Sequence, residues 1–462
     1  MKYPLFRSKN YLFYFTLFLP FFTSVVSAQT TKNYKKTSLP IGVFDSGTGG
    51  LTVLEALLTL DAFNNETGKP GSDGHLDFSK EYFQYLADQA NMPYGNYAAA
   101  NKTDLLKEHI QKNMQFFLKE APAKPSVKMI VLACNTATAY ALSDIKNQFE
   151  QQSIGVPVIG VIDAGSKAAL AFQQKNGDGT IGVFATAGTV ASNGYPRTLQ
   201  SMAKAMGMQE LSVISQGGFG LAESIDQDWS YYVDTLTRAR NEYKGPSLKN
   251  SRYTIDTSLL SAYRFDASSN KLLCEYDDKG SCLDMQLNDP SNYVRYHLVS
   301  LLEKMIVGKI TKPMNTLILG CTHYPYLKDT IASVLNELYH YKNNNEYRYR
   351  NYLVEKVELI DPSIETAKEA YLVLHNRTLS NTATVQKNQF YITIPNTNTP
   401  KNVLQPDGWF TYDYKYGRVA GENKIYVQYV PFDTKNISEA SYSRFKMVLP
   451  QSYAEIVKSK LK

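Results

Sequence analysis

Two stretches of this chain place a cysteine where an apolar run gives way to polar residues. The first is MIVLACNTATAYAL, Met129 to Leu142, and the second is TLILGCTHYPYL, Thr316 to Leu327. Each reads as apolar run, small residue, Cys, polar residue. As a weak internal repeat, the pair would relate two sheet ends by a pseudo-two-fold axis and aim two thiols at opposite sides of one cleft. Chance similarity between two buried strands is the competing explanation. Opposed thiols suit one reaction above others. Inverting a stereocentre that carries a C–H needs a base on one face and an acid on the other. Cys134 as thiolate can remove an α-proton while Cys321 as thiol delivers one from behind, with the roles exchanged in reverse. A free thiol ionises near ~8.5, and a helix N-terminus or a nearby cation lowers that value. Both cysteines directly precede expected helix starts, with Asn135, Thr136 and Thr322 as capping candidates. His323, two positions after Cys321, can hold or exchange a proton.

An amino-acid substrate would also bring a carboxylate, which backbone N–H groups and hydroxyls at helix starts can bind. Its ammonium needs a counter-charge, and Asp45 offers one in IGVFDSGTGGLTVLEALLTL, Ile41 to Leu60. Alone, Asp45-Ser46-Gly47 reads as an ordinary Asx turn; beside the cysteine pair it reads as part of a site.

The elements that must position these residues are legible from their pattern. Ile41–Leu60 predicts a short buried strand, a Gly-rich turn and a helix from about Leu51. Further strands are expected over 129–133, 156–162, 180–185, 316–319 and 357–360, alternating with helices. That alternation predicts an α/β class with parallel sheets, in which ligands bind at the carboxyl ends of strands. Asp45, Cys134, Thr186 and Cys321 all fall at or just after such ends. Three regions look added to the scaffold: 64–80, about 226–290 and about 396–434. No chemistry is evident in them, and they read as surface decoration or partner contacts, with GWFTYDY and KIYVQYV alternating like short strands.

The chain has 462 residues, enough for two or three domains, and 43% hydrophobic with 20% charged residues is ordinary for a folded soluble protein. Lys2, Arg7 and Lys9 precede YLFYFTLFLPFFTSVV and then SAQT, the order of a cleavable export signal over 1–28 with cleavage after Ala28. An uncleaved N-terminal membrane anchor is the alternative, but Pro20 interrupts the run and Val26-x-Ala28 suits a signal peptidase. The mature chain would be exported to the periplasm, without stable membrane insertion. It would carry 46 basic against 43 acidic residues, and no Lys/Arg-dense tract offers nucleic acid a footing. Export implies an oxidising space. Cys274 and Cys282 flank a turn-forming Asp-Asp-Lys-Gly, so a hairpin disulfide is expected there, two free thiols being the alternative. Cys134 and Cys321 must then stay reduced, which a substrate cleft ensures if it holds them beyond disulfide range, a Cα separation of about 7 Å. The pattern Gly177-x-Gly179-x-x-Gly182 precedes its strand, so it is no dinucleotide fingerprint, and no metal-spaced cluster appears among the six histidines.

Taken together, the motifs carry a resemblance. DSGTGGL at Asp45–Leu51, PYG at Pro93–Gly95, CNTAT at Cys134–Thr138, TAGTVASNGY at Thr186–Tyr195, GCTHYP at Gly320–Pro325 and LIDPSIETA at Leu359–Ala367 occur in order. In this the chain resembles the glutamate racemases of the cofactor-independent aspartate/glutamate racemase superfamily. The resemblance implies Cys134 and Cys321 as the two acid–base residues, with Asp45 and Ser46 binding substrate and setting proton affinities. Tyr94, Gly95, Asn135, Thr136, Thr189, Thr322 and His323 match the family's substrate contacts. It implies no cofactor and no metal, an amino-acid substrate, and a homodimer as the common assembly. It further implies two α/β domains facing across the cleft, with residues 41–157 opening the first, 158–356 forming the second, and 357–462 returning to the first. Glu223 is the nearest match for an acidic residue that the family carries in the second domain, and the usual GVIEPG turn reads GVIDAG here. Aspartate is the rival substrate; an exported amino-acid-binding protein without turnover is the rival from another class.

Overall fold

The computed structural model describes residues 35–121, 124–208, 210–382, 386–422 and 426–460; the expected export signal, 1–28, lies outside them. In chain order the strands are β1 (Ile41–Asp45), β2 (Phe83–Ala87), β3 (Met129–Leu132), β4 (Val158–Gly160), β5 (Thr180–Ala185), β6 (Ser212–Gly217), β7 (Leu272–Tyr276), β8 (Cys282–Leu287), β9 (Met314–Gly320), β10 (Lys342–Asn343), β11 (Glu346–Tyr347), β12 (Leu353–Ile360), β13 (Gln389–Pro395) and β14 (Val427–Pro431). They form a six-stranded sheet ordered β14-β13-β2-β1-β3-β4, a four-stranded sheet ordered β12-β9-β5-β6, and two small hairpins. Apart from the antiparallel β13–β14 edge, both larger sheets are parallel. The α/β class is as expected.

Parallel strands covered on both faces need continuous apolar runs rather than alternation, and β1, β2 and β3 are buried at every position. One face of the first sheet packs Leu51, Leu54 and Leu57 of the helix Leu51–Thr59 against Ala367, Phe432 and Phe445. The other packs Phe44 and Leu86 against Ile110, Phe117 and Leu142. The second sheet is covered by the helix Pro290–Val307 on one face and by Leu170 and Leu199 on the other.

Several boundaries differ from expectation. Val158–Gly160, assigned from sequence to the second domain, pairs with β3 and closes the first sheet. The strand at 353–360, read as opening the return, pairs instead with β9 in the second sheet. The chain rejoins the first sheet only at Gln389, where β13 pairs with β2. The cause is a crossing helix, Pro362–Asn376, started by Asp361, whose carboxylate accepts from Ser363 N at 2.8 Å. GWFTYDY is not a strand: Thr411 caps a short helix, Tyr412–Gly417, by accepting from Tyr414 N. In the segment after Asp226, β7 and β8 form a hairpin joined by a Cys274–Cys282 disulfide, with Cα atoms 5.5 Å apart. Among the described residues no helix is long and apolar enough to cross a membrane.

The start of the first sheet is tied by a buried ion pair. Lys128 and Glu81 side chains are 0% and 4% exposed with Nζ and Oε2 2.6 Å apart. Lys128 Nζ also donates to Thr37 O and Leu379 O, while Glu81 accepts from Asn381 N. Removing one member strands the other charge without solvent. Lys128→Met should therefore cost about 3–5 kcal/mol of unfolding free energy in a urea titration. Lys128→Met with Glu81→Leu should recover most of that loss; equal destabilisation by the single and double variants would contradict this account.

Candidate active site

The carboxyl ends of β1 and β3 place Asp45 and Cys134 side by side. Asp45 is buried, and its carboxylate accepts from Gly47 N at 3.2 Å and Gly50 N at 2.8 Å, which folds the DSGTGG turn around it. Tyr85, unrecognised in the sequence because its strand was not expected, pins the same turn by donating to Gly47 O at 2.7 Å. Cys134 caps the helix Asn135–Gln151, its Sγ accepting from Ala137 N at 3.4 Å, and lies 3.5 Å from Ser46 Oγ. Burial first, and the Asp45 carboxylate second, push the Cys134 thiol up to about 12. Burial likewise raises Asp45, opposed by N–H groups of its turn and by the Cys134 thiol. The two groups therefore resist carrying two negative charges together.

Cys321 follows β9 and is also buried and free. The helix expected directly after it is absent. A 3-10 turn at Tyr324–Leu327, with Pro325 in its first turn, precedes the helix Lys328–Tyr339. Thr322 is accordingly no cap; its Oγ1 lies 3.4 Å from His323 Nδ1. His323 Nδ1 is 3.7 Å from Cys321 Sγ, and Nε2 is 3.0 Å from Asp226 Oδ1. Burial disfavours the imidazolium, but Asp226 and the Cys321 thiol outweigh it and hold His323 well above its usual range. Burial alone would raise Asp226; His323 and then Arg444 reverse that and keep it ionised. Arg444 Nη1 pairs with the same Asp226 oxygen.

The two cysteine loops meet. A Cβ on Gly49, in the first turn, would lie 2.5 Å from Thr322 Oγ1 and 3.2 Å from His323 Cε1. A larger side chain there would push the Thr322 hydroxyl or the His323 ring aside. Gly95 and Gly188 touch similarly: a Cβ on Gly188 would stand 2.9 Å from Gly95 Cα. Tyr195, between Thr189 and the Cys321 strand, donates to Asn135 Oδ1 at 2.9 Å, and its ring packs where a Gly320 side chain would stand. Residues from the ends of both sheets thus surround one place, with Cys134 and Asp45 on one side and Cys321 and His323 on the other.

The remaining expected site residues divide. Thr136 is buried on the Cys134 helix, and Thr189 is held in a small cap in which its N–H and hydroxyl face Thr186 Oγ1. Tyr94 is different: its hydroxyl donates to Asp88 Oδ2 at 2.5 Å, inside a buried cluster that also takes Asn91, Asn113 and Thr393. It braces the first sheet's end instead of offering its hydroxyl to a ligand. Glu223 lies near His323, but the carboxylate that meets the ring belongs to Asp226, three residues on and just past the short helix Leu221–Ile225. In the sequence Asp226 opens the insertion at about 226–290, and only its place three residues after Glu223 marks it. No local signal marked Arg444.

No family model matches the chain. A glutamate racemase from Levilactobacillus brevis is 29% identical over 355 residues, covering 77% of this chain and 86% of that protein. One from Oceanobacillus iheyensis is 27% identical over 354 residues, covering 76% and 86%. Among solved structures, a glutamate racemase isoform from Bacillus anthracis shares 24% identity at a TM-score of 0.45, covering 77% of this chain and 88% of that one.

The Gly49 contact yields a direct test. Gly49→Ala forces the loops apart by roughly an ångström, enough to cost about 100-fold in α-proton exchange on an amino-acid substrate. Its thermal midpoint should stay within about 4 °C of the parent, since the site and not the core is disturbed. Unchanged exchange would show that the loops do not work as one site.

Proposed function

We propose that this chain, a relative of the glutamate racemases along three quarters of its length, interconverts L- and D-glutamate by proton transfer at the α-carbon. The observation that carries the reading is the pairing of two free, buried thiols, each at the carboxyl end of a central parallel strand, across one junction. Neither is bridged, and each has a different electrostatic neighbour.

Those neighbours assign the work. At neutral pH burial and Asp45 keep Cys134 as a thiol in the free protein. Substrate brings an ammonium that satisfies Asp45 and relieves the repulsion opposing the Cys134 thiolate. Cys321 faces an imidazole that Asp226 keeps charged, so a proton moving to or from the sulfur has a neighbour within hydrogen-bonding reach. One sulfur takes the α-proton and the other supplies a proton to the opposite face of the carbanion between them. Asn135, Thr136, Thr189 and Thr322 are the polar groups we assign to the substrate's carboxylates. Gly95 we assign to packing against Gly188 and Tyr94 to bracing through Asp88, each shaping the site indirectly.

The basic-then-apolar segment at 1–28 and the Cys274–Cys282 bridge together support export to an oxidising compartment. Glutamate is favoured over aspartate by the DSGTGGL and GCTHYP forms and by the names of the relatives.

Chiral analysis of the chain from Gln29, incubated with either glutamate enantiomer, tests the proposal. Inversion is expected, with Cys134→Ala and Cys321→Ala each slower by at least about 1,000-fold. Measurable glutamate binding without inversion by the unaltered protein would make it a binding protein. Inversion of aspartate alone would change the substrate.

A further inference from the structure

The insertion at about 396–434 is one of three regions with no chemistry legible in the sequence, yet the helices that follow it reach the site. The helix Glu439–Val448 lies on the first sheet, where Phe445 packs on Phe432 and Leu449 joins the same cluster. The next helix, Pro450–Lys460, is fastened by Glu55, which accepts from Gln451 N at 3.0 Å and Ser452 N at 2.7 Å. Arg444 projects from this anchored pair, 20% exposed, and its guanidinium meets Asp226 at the rim of the second sheet. Asp226 Oδ1 is also the oxygen 3.0 Å from His323 Nε2. The ring Tyr326, close to Arg444, Asp226, Glu55 and Cys321 alike, completes the surroundings.

We propose that Arg444 is a positioning residue for the Cys321 half of the reaction, dividing one carboxylate oxygen of Asp226 between itself and His323 across the cleft. The inference rests on the two-thiol reading above. A permanent cation on that oxygen does two things. It fixes the carboxylate's rotamer from the opposite half of the molecule, and it weakens the carboxylate's pull on the imidazolium, leaving His323 able to give up a proton. Without Arg444 the whole charge of Asp226 falls on His323. The imidazolium is then held more firmly and gives up its proton less readily during turnover, while the positive charge lost from this side of the cleft makes the neighbouring sulfur slower to alkylate. Cys134, on the far side, should not respond. Glu223, exposed nearby, is the other carboxylate facing His323 and is left intact in the test.

The test combines turnover with iodoacetamide labelling of each cysteine, read by peptide mapping of the full mature chain at pH 7. Arg444→Met should lower kcat/KM about tenfold, chiefly in kcat. It should slow labelling of Cys321 about threefold, because a positive charge is lost near that sulfur, while leaving Cys134 unchanged. Arg444→Lys should restore most of the turnover. Asp226→Asn should also lower kcat, and adding Arg444→Met to it should lower kcat no further, because the guanidinium acts through that carboxylate. Faster labelling of both cysteines would mean that Arg444 merely closes the cleft. No change in either cysteine, or additive losses in the double variant, would equally overturn the proposal. Labelling does not depend on turnover, so a protein that inverts no glutamate at all overturns the function and is recognised separately.

Discussion

The loops leaving the two sheets come into close contact where Gly49 of the first faces Thr322 and His323 of the second. Everything else about the site follows from keeping those loops together. Asp45 and Tyr85 shape the first turn so that its glycine faces outward, while Tyr195 and Gly188 bring the second sheet's loops to Asn135 and Gly95. Parallel topology makes this possible: β1, β3, β5 and β9 all run toward the junction, so their carboxyl ends deliver Asp45, Cys134, Thr186 and Cys321 to one region.

The junction is electrically lopsided. An acid stands beside the first sulfur and a cationic imidazole beside the second. The two thiols therefore do not stand in equivalent surroundings. Segments that look like ornament in the sequence sustain that asymmetry. Asp226 opens the second-sheet insertion, and Arg444 comes from the C-terminal helices beyond the first-sheet one. The Cys274–Cys282 hairpin lies in the same insertion as Asp226.

Much of this was legible from residues alone. Strand ends followed by short polar motifs named Asp45, Cys134 and Cys321, because a buried apolar run and a Gly- or Thr-rich turn are local signals. The second-sheet strand at 180–185 was bounded to the residue. What failed was non-local. FQYLA at β2 and QFYITIP at β13 mix polar with apolar positions, and their strand identity comes from neighbours in the sheet. Which sheet β12 joins depends on pairing with β9, a tertiary choice that no periodicity encodes. Tyr94 sits in a matching motif, yet its hydroxyl goes to a buried Asp88 that only the folded chain brings near. Asp226 and Arg444, 218 positions apart by their numbers, meet for the same reason.

The central claim is that two different sulfurs serve opposite faces of one carbon. It is tested most directly by running the reaction from L-glutamate in heavy water and following deuterium at the α-carbon during the first few per cent of conversion. The account predicts that newly formed D-glutamate carries solvent deuterium at essentially every molecule while the remaining L-glutamate stays protonated. Newly formed D-glutamate that retains the original α-proton would mean a single group carries it from one face to the other, and the two-thiol account would be wrong.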